Sequence, residues 1–143
     1  MIEANSQATA QVGRSMTPAD KIRLLIVEDH PAMRCMLRSV LKRYPEIEIV
    51  GEATNGEDAV LRAEELQPAI VLMDINMPKL NGIAATQRIK AKSKGVAVLG
   101  LSVHAEGYSV NSMLRAGAIA VVLKERATED LYDAIQRALV LAL

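Results

Sequence analysis

Five polar side chains stand directly behind apolar runs in this 143-residue sequence. Glu28 and Asp29 follow Arg23-Leu24-Leu25-Ile26-Val27, and Asp74 follows Ala69-Ile70-Val71-Leu72-Met73. Ser102 follows the run ending in Gly100-Leu101, and Lys124 follows the run ending in Val122-Leu123. Carboxylates brought close together repel one another, so such a group either takes up a proton or binds a cation. A hard divalent ion such as magnesium, with manganese as the alternative, suits oxygen donors and retained waters. Asp29 and Asp74 are the expected side-chain ligands, with the Asn76 backbone carbonyl in reach and Glu28 acting through bound water. Asp74 ends the most apolar run, where its direction is fixed and solvent is limited, and is the candidate nucleophile. Phosphoryl transfer asks mainly for in-line geometry and positive charge on the equatorial oxygens. Lys124 and a bound cation would supply that charge, and Ser102 would donate a hydroxyl hydrogen bond to the transferred group.

Each residue also has a plainer reading. Asp74 alone could be a turn former, Glu28 and Asp29 could cap the following helix, Lys124 could be solvated, and Ser102 could serve a turn. His30 and His104 are expected to support the pocket or lie on the surface rather than to form a two-histidine metal site.

Chemistry of this kind requires the five positions to meet, and the pattern of elements provides for that. From Lys21 onward, apolar runs with strand character alternate with stretches of helical period. Strands are expected at 23–27, 47–53, 69–74, 96–101 and 118–123. Pro31 opens a first helix with Met33, Met36, Leu37, Val40 and Leu41 on one face, and helices follow over 57–65, 83–90 and 106–116. Leu131, Ala134, Ile135, Ala138, Leu139 and Ala142 give the last helix an apolar stripe. Five β-α repeats predict an α/β fold, a parallel sheet covered by helices on both faces as a three-layer sandwich. Such open sheets place their sites outside the C-terminal edges of the strands, where the five polar residues stand. Asn81-Gly82 and Gly117 are expected to meet turn requirements.

Composition narrows the classes. Lys plus Arg and Asp plus Glu both total 17, and there are three tyrosines with no Phe or Trp. Neither a basic field nor stacking platforms favour nucleic-acid binding by this chain. Cys35 is the single cysteine, and its place in an apolar helical pattern predicts burial. The longest apolar run is too short to span a bilayer, and residues 1–20 carry no signal-like core, so a cytoplasmic protein with no membrane role is expected. Residues 1–20 are read as a mobile tail and 21–143 as one domain.

Taken together and in order, Leu25-Ile26-Val27-Glu28-Asp29-His30-Pro31, Val71-Leu72-Met73-Asp74 continuing to Asn81-Gly82, Leu101-Ser102, Ala116-Gly117-Ala118 and Leu123-Lys124-Glu125 resemble the receiver domains of two-component response regulators. The likeness is strongest to those of the NarL/LuxR type. It implies a flavodoxin-like (βα)5 doubly wound sheet of strand order 2-1-3-4-5. It implies, further, a magnesium pocket at Glu28 and Asp29, phosphorylation of Asp74 by a sensor histidine kinase, Ser102 and Lys124 following the phosphoryl group, and slow self-dephosphorylation tuned near Asn76 and His104. It implies a helix-turn-helix output domain in a longer protein, with a stand-alone domain as the equal alternative; separately, the apolar run from Ala138 to Leu143 suggests packing against a partner, and a homodimer through the first and last helices is a hypothesis. One departure stands out. Such domains usually carry an aromatic residue three positions before the lysine, where this chain has Val121. The fourth helix is therefore expected to repack against Val121 and Val122 instead of reporting through a ring. Two other readings compete: a degenerate receiver that binds partners without phosphorylation, and a phosphohydrolase with an aspartyl intermediate.

Overall fold

The computed structural model describes residues 21–77 and 79–142; the reading of 1–20 as a tail lies outside them. Five strands, β1 (Ile22–Val27), β2 (Ile47–Ala53), β3 (Ile70–Asp74), β4 (Ala97–Ser102) and β5 (Ala120–Leu123), alternate with five α-helices. The helices are α1 (Pro31–Leu41), α2 (Gly56–Leu66), α3 (Gly82–Lys92), α4 (Tyr108–Ala116) and α5 (Ala127–Leu141), with a 3-10 turn at Lys124–Arg126 before the last. All strand pairs are parallel and their order is β2-β1-β3-β4-β5. This is the doubly wound order expected from the sequence.

β3 is buried along its whole length, as a run of apolar residues between two helical layers must be. Alternate residues feed two cores. Leu24, Ile26, Leu72, Leu99 and Val122 face Leu37, Leu131 and Ile135, on the side of α1 and α5. Leu25, Val27, Val71, Met73 and Val98 face Ala59, Ala85, Ile89 and Met113, on the side of α2, α3 and α4. Val121 packs with the second group and Val122 with the first. The expectation that α4 packs against both is thus corrected: consecutive strand residues point to opposite faces, and only Val121 meets α4. There a Cβ built on Gly100 would lie 3.1 Å from Met113 and 3.2 Å from Val121.

Cys35 is exposed, against the predicted burial. Leu37, Val40 and Leu41 define the buried stripe of α1. At about 100° per residue, Cys35 lies some 200° round the helix from Leu37, on the opposite face.

Several boundaries move for local reasons. Gly107 adopts φ 121°, and α4 begins after it at Tyr108 rather than at Glu106. Ala118 donates its amide back to the Met113 carbonyl of α4, Ile119 makes the first bond to β4 at the Val98 carbonyl, and paired residues begin at Ala120 opposite Leu99. Gly117, φ 119°, ends α4 in the left-handed conformation expected of a glycine there. Gly82 has a different task. It follows the helix cap Asn81, whose side chain accepts from the Ala84 amide, and a Cβ at Gly82 would fall 2.1 Å from the carbonyl oxygen of Asp74. Gly82 donates its amide to the Ile75 carbonyl at 2.8 Å, which folds the loop after β3 back onto the strand end. Among the described residues no helix is long and apolar enough to cross a membrane.

Candidate functional site

Parallel strands of similar length, all entering from one end, deliver their C-terminal residues to the same edge. Glu28 leaves β1 with its amide bonded to the Ala53 carbonyl of β2 at 3.0 Å, and its side chain is fully buried. Asp74 ends β3 at 3 % exposure and Ser102 ends β4 at 5 %. Lys124 opens the turn after β5, with its ammonium 2.9 Å from Glu28 Oε1 and 3.1 Å from Asp74 Oδ1. Four chain segments therefore meet at one edge, as the sequence pattern required.

Asp29 and His30 complete the group. One donor atom from each of Glu28, Asp29, His30 and Asp74 lies within 4.8 Å of all the others. His30 Nδ1 is 3.3 Å from both Glu28 Oε2 and Asp29 Oδ1, so the imidazole read as a supporting group stands beside the pocket even though it is largely exposed. Asn76 is exposed, and its backbone amide donates to Asp74 Oδ1 at 3.3 Å. His104 lies on the surface, and its amide donates to Ser102 Oγ at 3.0 Å. That bond uses the hydroxyl as an acceptor and leaves its proton free to be donated.

Glu28 and Asp74 share one ammonium with Asp29 close beside them, and the titration behaviour follows. Burial raises the Asp74 pKa, the Glu28 charge raises it further, and Lys124 lowers it only in part, leaving it at about 7. For Lys124, burial favours the neutral amine, but the hydrogen bonds and charges of Glu28 and Asp74 more than offset this and its pKa is raised. The pocket is short of positive charge.

The donor chemistry shows what would fit. Asp29 Oδ1 and Asp74 Oδ2 are buried and accept no hydrogen bond among the described residues, and Glu28 Oε1 has the Lys124 ammonium as its one partner there. Asp29 Oδ1 has the His30 ring beside it. Buried acceptors left in this state are costly, and a hard divalent cation satisfies such oxygens directly.

Sequence reasoning missed Arg34 and Glu52. Arg34 Nη1 donates to the carbonyls of Glu28 at 2.9 Å and Asp29 at 3.3 Å, and its Nε lies 3.4 Å from Glu52 Oε1. A cation one turn into α1 was a readable signal for Arg34. For Glu52 the available signal was Gly51, a glycine inside the β2 run where a bulge is common.

The sequence matches the response regulator receiver domain over residues 24–136. The chain belongs to this family. Among curated relatives, this receiver domain is 38 % identical over 117 residues to the transcriptional regulatory protein DegU of Brevibacillus brevis, covering 82 % of the chain and 50 % of DegU. It is 33 % identical over 123 residues to the nitrate/nitrite response regulator NarL of Escherichia coli K12, covering 86 % of the chain and 57 % of NarL. The chain thus spans about half the length of these curated relatives. Among solved structures, it superposes on a two-component response regulator of the LuxR family from Aurantimonas sp. SI85-9A1 with TM-score 0.79 and 30 % identity, covering 84 % of the chain and 86 % of that structure. The response regulator domain of Thermotoga maritima CheB gives TM-score 0.78 at 30 % identity, covering 84 % and 97 %. These likenesses place the receiver domain in the NarL/LuxR-type group expected from its motifs.

Proposed function

We propose that this receiver domain is a phosphorylation-controlled switch in which Asp74 accepts a phosphoryl group from a phosphohistidine of a sensor kinase. The observation that carries this reading is the placement of Asp74, buried at the tip of β3 with Lys124 against Oδ1 and Oδ2 free of hydrogen bonds. In the transfer an Asp74 oxygen bonds to phosphorus as the bond from phosphorus to the donor imidazole nitrogen breaks, and the electron pair leaves with that nitrogen. Lys124 turns its ammonium from the carboxylates to the phosphoryl oxygens, and the Asn76 amide is placed to donate beside it. Ser102 has a hydroxyl proton to offer the same group. Asp29 and Asp74, with the Asn76 carbonyl and with Glu28 through water, would hold magnesium, or manganese in its place. The bound ion supplies the second positive charge that lets two anions approach. Slow hydrolysis of the acyl phosphate resets the switch.

The output passes through α4. With Val121 in the place of a ring, the change at Ser102 is transmitted by repacking of Met113 against Gly100 and Val121. In a longer protein the receiver would govern a helix-turn-helix transcriptional module, and it would pair with a second copy through α1 and α5. The completeness of the pocket supports this over a degenerate adaptor. Asn76, two residues beyond Asp74, supports it over a phosphohydrolase, which would need an acid-base carboxylate there.

The decisive experiment is incubation with magnesium and a small acyl phosphate, followed by intact mass. A single hydroxylamine-sensitive phosphoryl adduct is expected, and no adduct at any magnesium concentration would refute the reading. Asp29→Ala is expected to remove most of the rise in Tm that magnesium gives the unsubstituted protein. Binding to the folded state alone stabilises by about 2.7 kcal/mol at a hundredfold excess over Kd, so the loss is measurable by thermal unfolding with and without the ion.

A further inference from the structure

We infer that Arg34 is a positioning residue for the acidic pocket, aimed there by Glu52, which an irregularity in β2 turns toward α1. The inference deepens the phosphoacceptor reading and rests on it for its meaning.

The geometry begins in the β1–β2 register. Leu24 stands opposite Ile49, but Leu25 stands opposite Gly51, so Val50 is an inserted residue. An extra residue in one strand reverses which face every later side chain takes. In unbroken register Glu52 would pair with Val27, whose side chain faces α2 and α3. With the insertion it pairs with Ile26 instead, whose side chain faces α1 and α5.

Glu52 therefore points at α1, where Arg38 Nη1 lies 2.7 Å and Arg34 Nε 3.4 Å from its Oε1. The two arginines then differ. Arg38 reaches Glu52 and, among the described residues, none of the loop carbonyls. Arg34, 19 % exposed at its side chain, continues past Glu52 and donates through Nη1 to the carbonyls of Glu28 and Asp29.

Those two carbonyls belong to the residues whose side chains must converge on the ion. The two planes flank the Asp29 Cα and fix the direction of its Cβ, and the first of them, with the Glu28 amide held by the Ala53 carbonyl, does the same for Glu28. Arg34 thus holds a pair of like-charged side chains at close quarters without occupying either carboxylate. A planar fork anchored at one end by a carboxylate suits this task, and an ammonium does not. Groups that orient metal-binding side chains commonly change affinity by about 10–100-fold when removed.

The test uses the intact chain and magnesium chloride, with affinity measured by isothermal calorimetry. Acyl phosphate labelling is followed in parallel as a function of magnesium concentration. Arg34→Gln is expected to weaken magnesium binding about tenfold, while labelling at saturating magnesium stays within about twofold of the parent. Arg34→Lys should fall between the two, and Arg38→Gln, which breaks an ion pair to the same Glu52, should leave affinity within about twofold of the parent. Affinity of Arg34→Gln within about twofold of the parent, or no weaker than that of Arg38→Gln, would overturn the inference. Should Arg34→Gln fail to fold, Glu52→Gln decides the matter: about threefold weaker binding is expected, and unchanged binding overturns. If the unsubstituted chain binds magnesium but takes up no phosphoryl group, the phosphoacceptor reading falls, and the calorimetric comparison of Arg34 with Arg38 still stands.

Discussion

Asp74→Asn is expected to abolish the hydroxylamine-sensitive adduct completely and, in the absence of divalent ions, to make the protein more stable. The first effect is chemical: a carboxamide oxygen is too weak a nucleophile to displace the donor, and the intact mass should show no phosphoryl gain under conditions that label the parent fully. The second follows from the crowding of Glu28, Asp29 and Asp74 in one pocket with Lys124 as its one ammonium among the described residues. In the folded protein Asp74 titrates at about 7 because burial and the neighbouring Glu28 charge disfavour its ionisation, whereas an aspartate in the unfolded chain titrates near about 3.9. Between those values the folded state holds a proton that the unfolded state has released. Stability is therefore fully present below about pH 4 and is lost as pH rises through about 7. Asparagine does not ionise and escapes this loss. Without metal at pH 8, Asp74→Asn should unfold at higher temperature, by an amount equivalent to about 1–3 kcal/mol. The gap should close toward pH 4. Magnesium should narrow it from the other side, by stabilising the parent more than the variant. A variant less stable than the parent at pH 8 in a chelator would contradict the charge balance described for the pocket.

Gly82→Ala should be the most damaging small substitution at the edge of the site. The added Cβ would meet the Asp74 carbonyl oxygen at 2.1 Å and the Ile75 Cα at 2.9 Å. Both are backbone atoms at a strand end, so neither can swing aside as a flexible side chain would. The loop must retreat, and the 2.8 Å bond from the Gly82 amide to Ile75 goes with it. A loss of about 3 kcal/mol is expected by chemical denaturation, with slower labelling of Asp74 in whatever fraction remains folded. Gly95→Ala, where an added Cβ meets nothing within 4 Å, is the matched control and should change stability little. Equal behaviour of the two variants would mean that the loop after β3 does not grip the strand as described.

The fold was readable because its signals are periodic. The unbroken apolar run before Asp74 could only be a strand covered on both sides, and the stripe from Leu131 to Ala138 could only be one face of a helix. The site was readable for a related reason. In a parallel sheet every strand ends on the same side, so polar residues behind apolar runs converge wherever they lie in sequence. What stayed hidden depends on single insertions and on azimuth. Cys35 lies among apolar neighbours yet points away from the stripe through Leu37 and Leu41. Glu52 turns toward α1 only because Val50 is skipped in the pairing with β1, and the one mark of that skip in the sequence is Gly51 inside the strand run, which points to a bulge without saying where the later side chains go. Gly82 looked like a turn glycine, whereas its requirement comes from the Asp74 carbonyl, which sequence spacing cannot place against it.

The bridge from Lys124 to Glu28 and Asp74 also sets an order on synthesis and folding. The acids come from the first and third strands, while the ammonium arrives only after the fifth. A nascent chain halted between residues 74 and 124 would carry the phosphoacceptor and its acidic neighbours without their counter-charge, and contacts this distant in sequence close late. A ribosome-tethered series of increasing length should therefore stay inert until β5 has cleared the exit tunnel and docked against β4, and α5, whose Leu131 and Ile135 close the core over the sheet, has followed it.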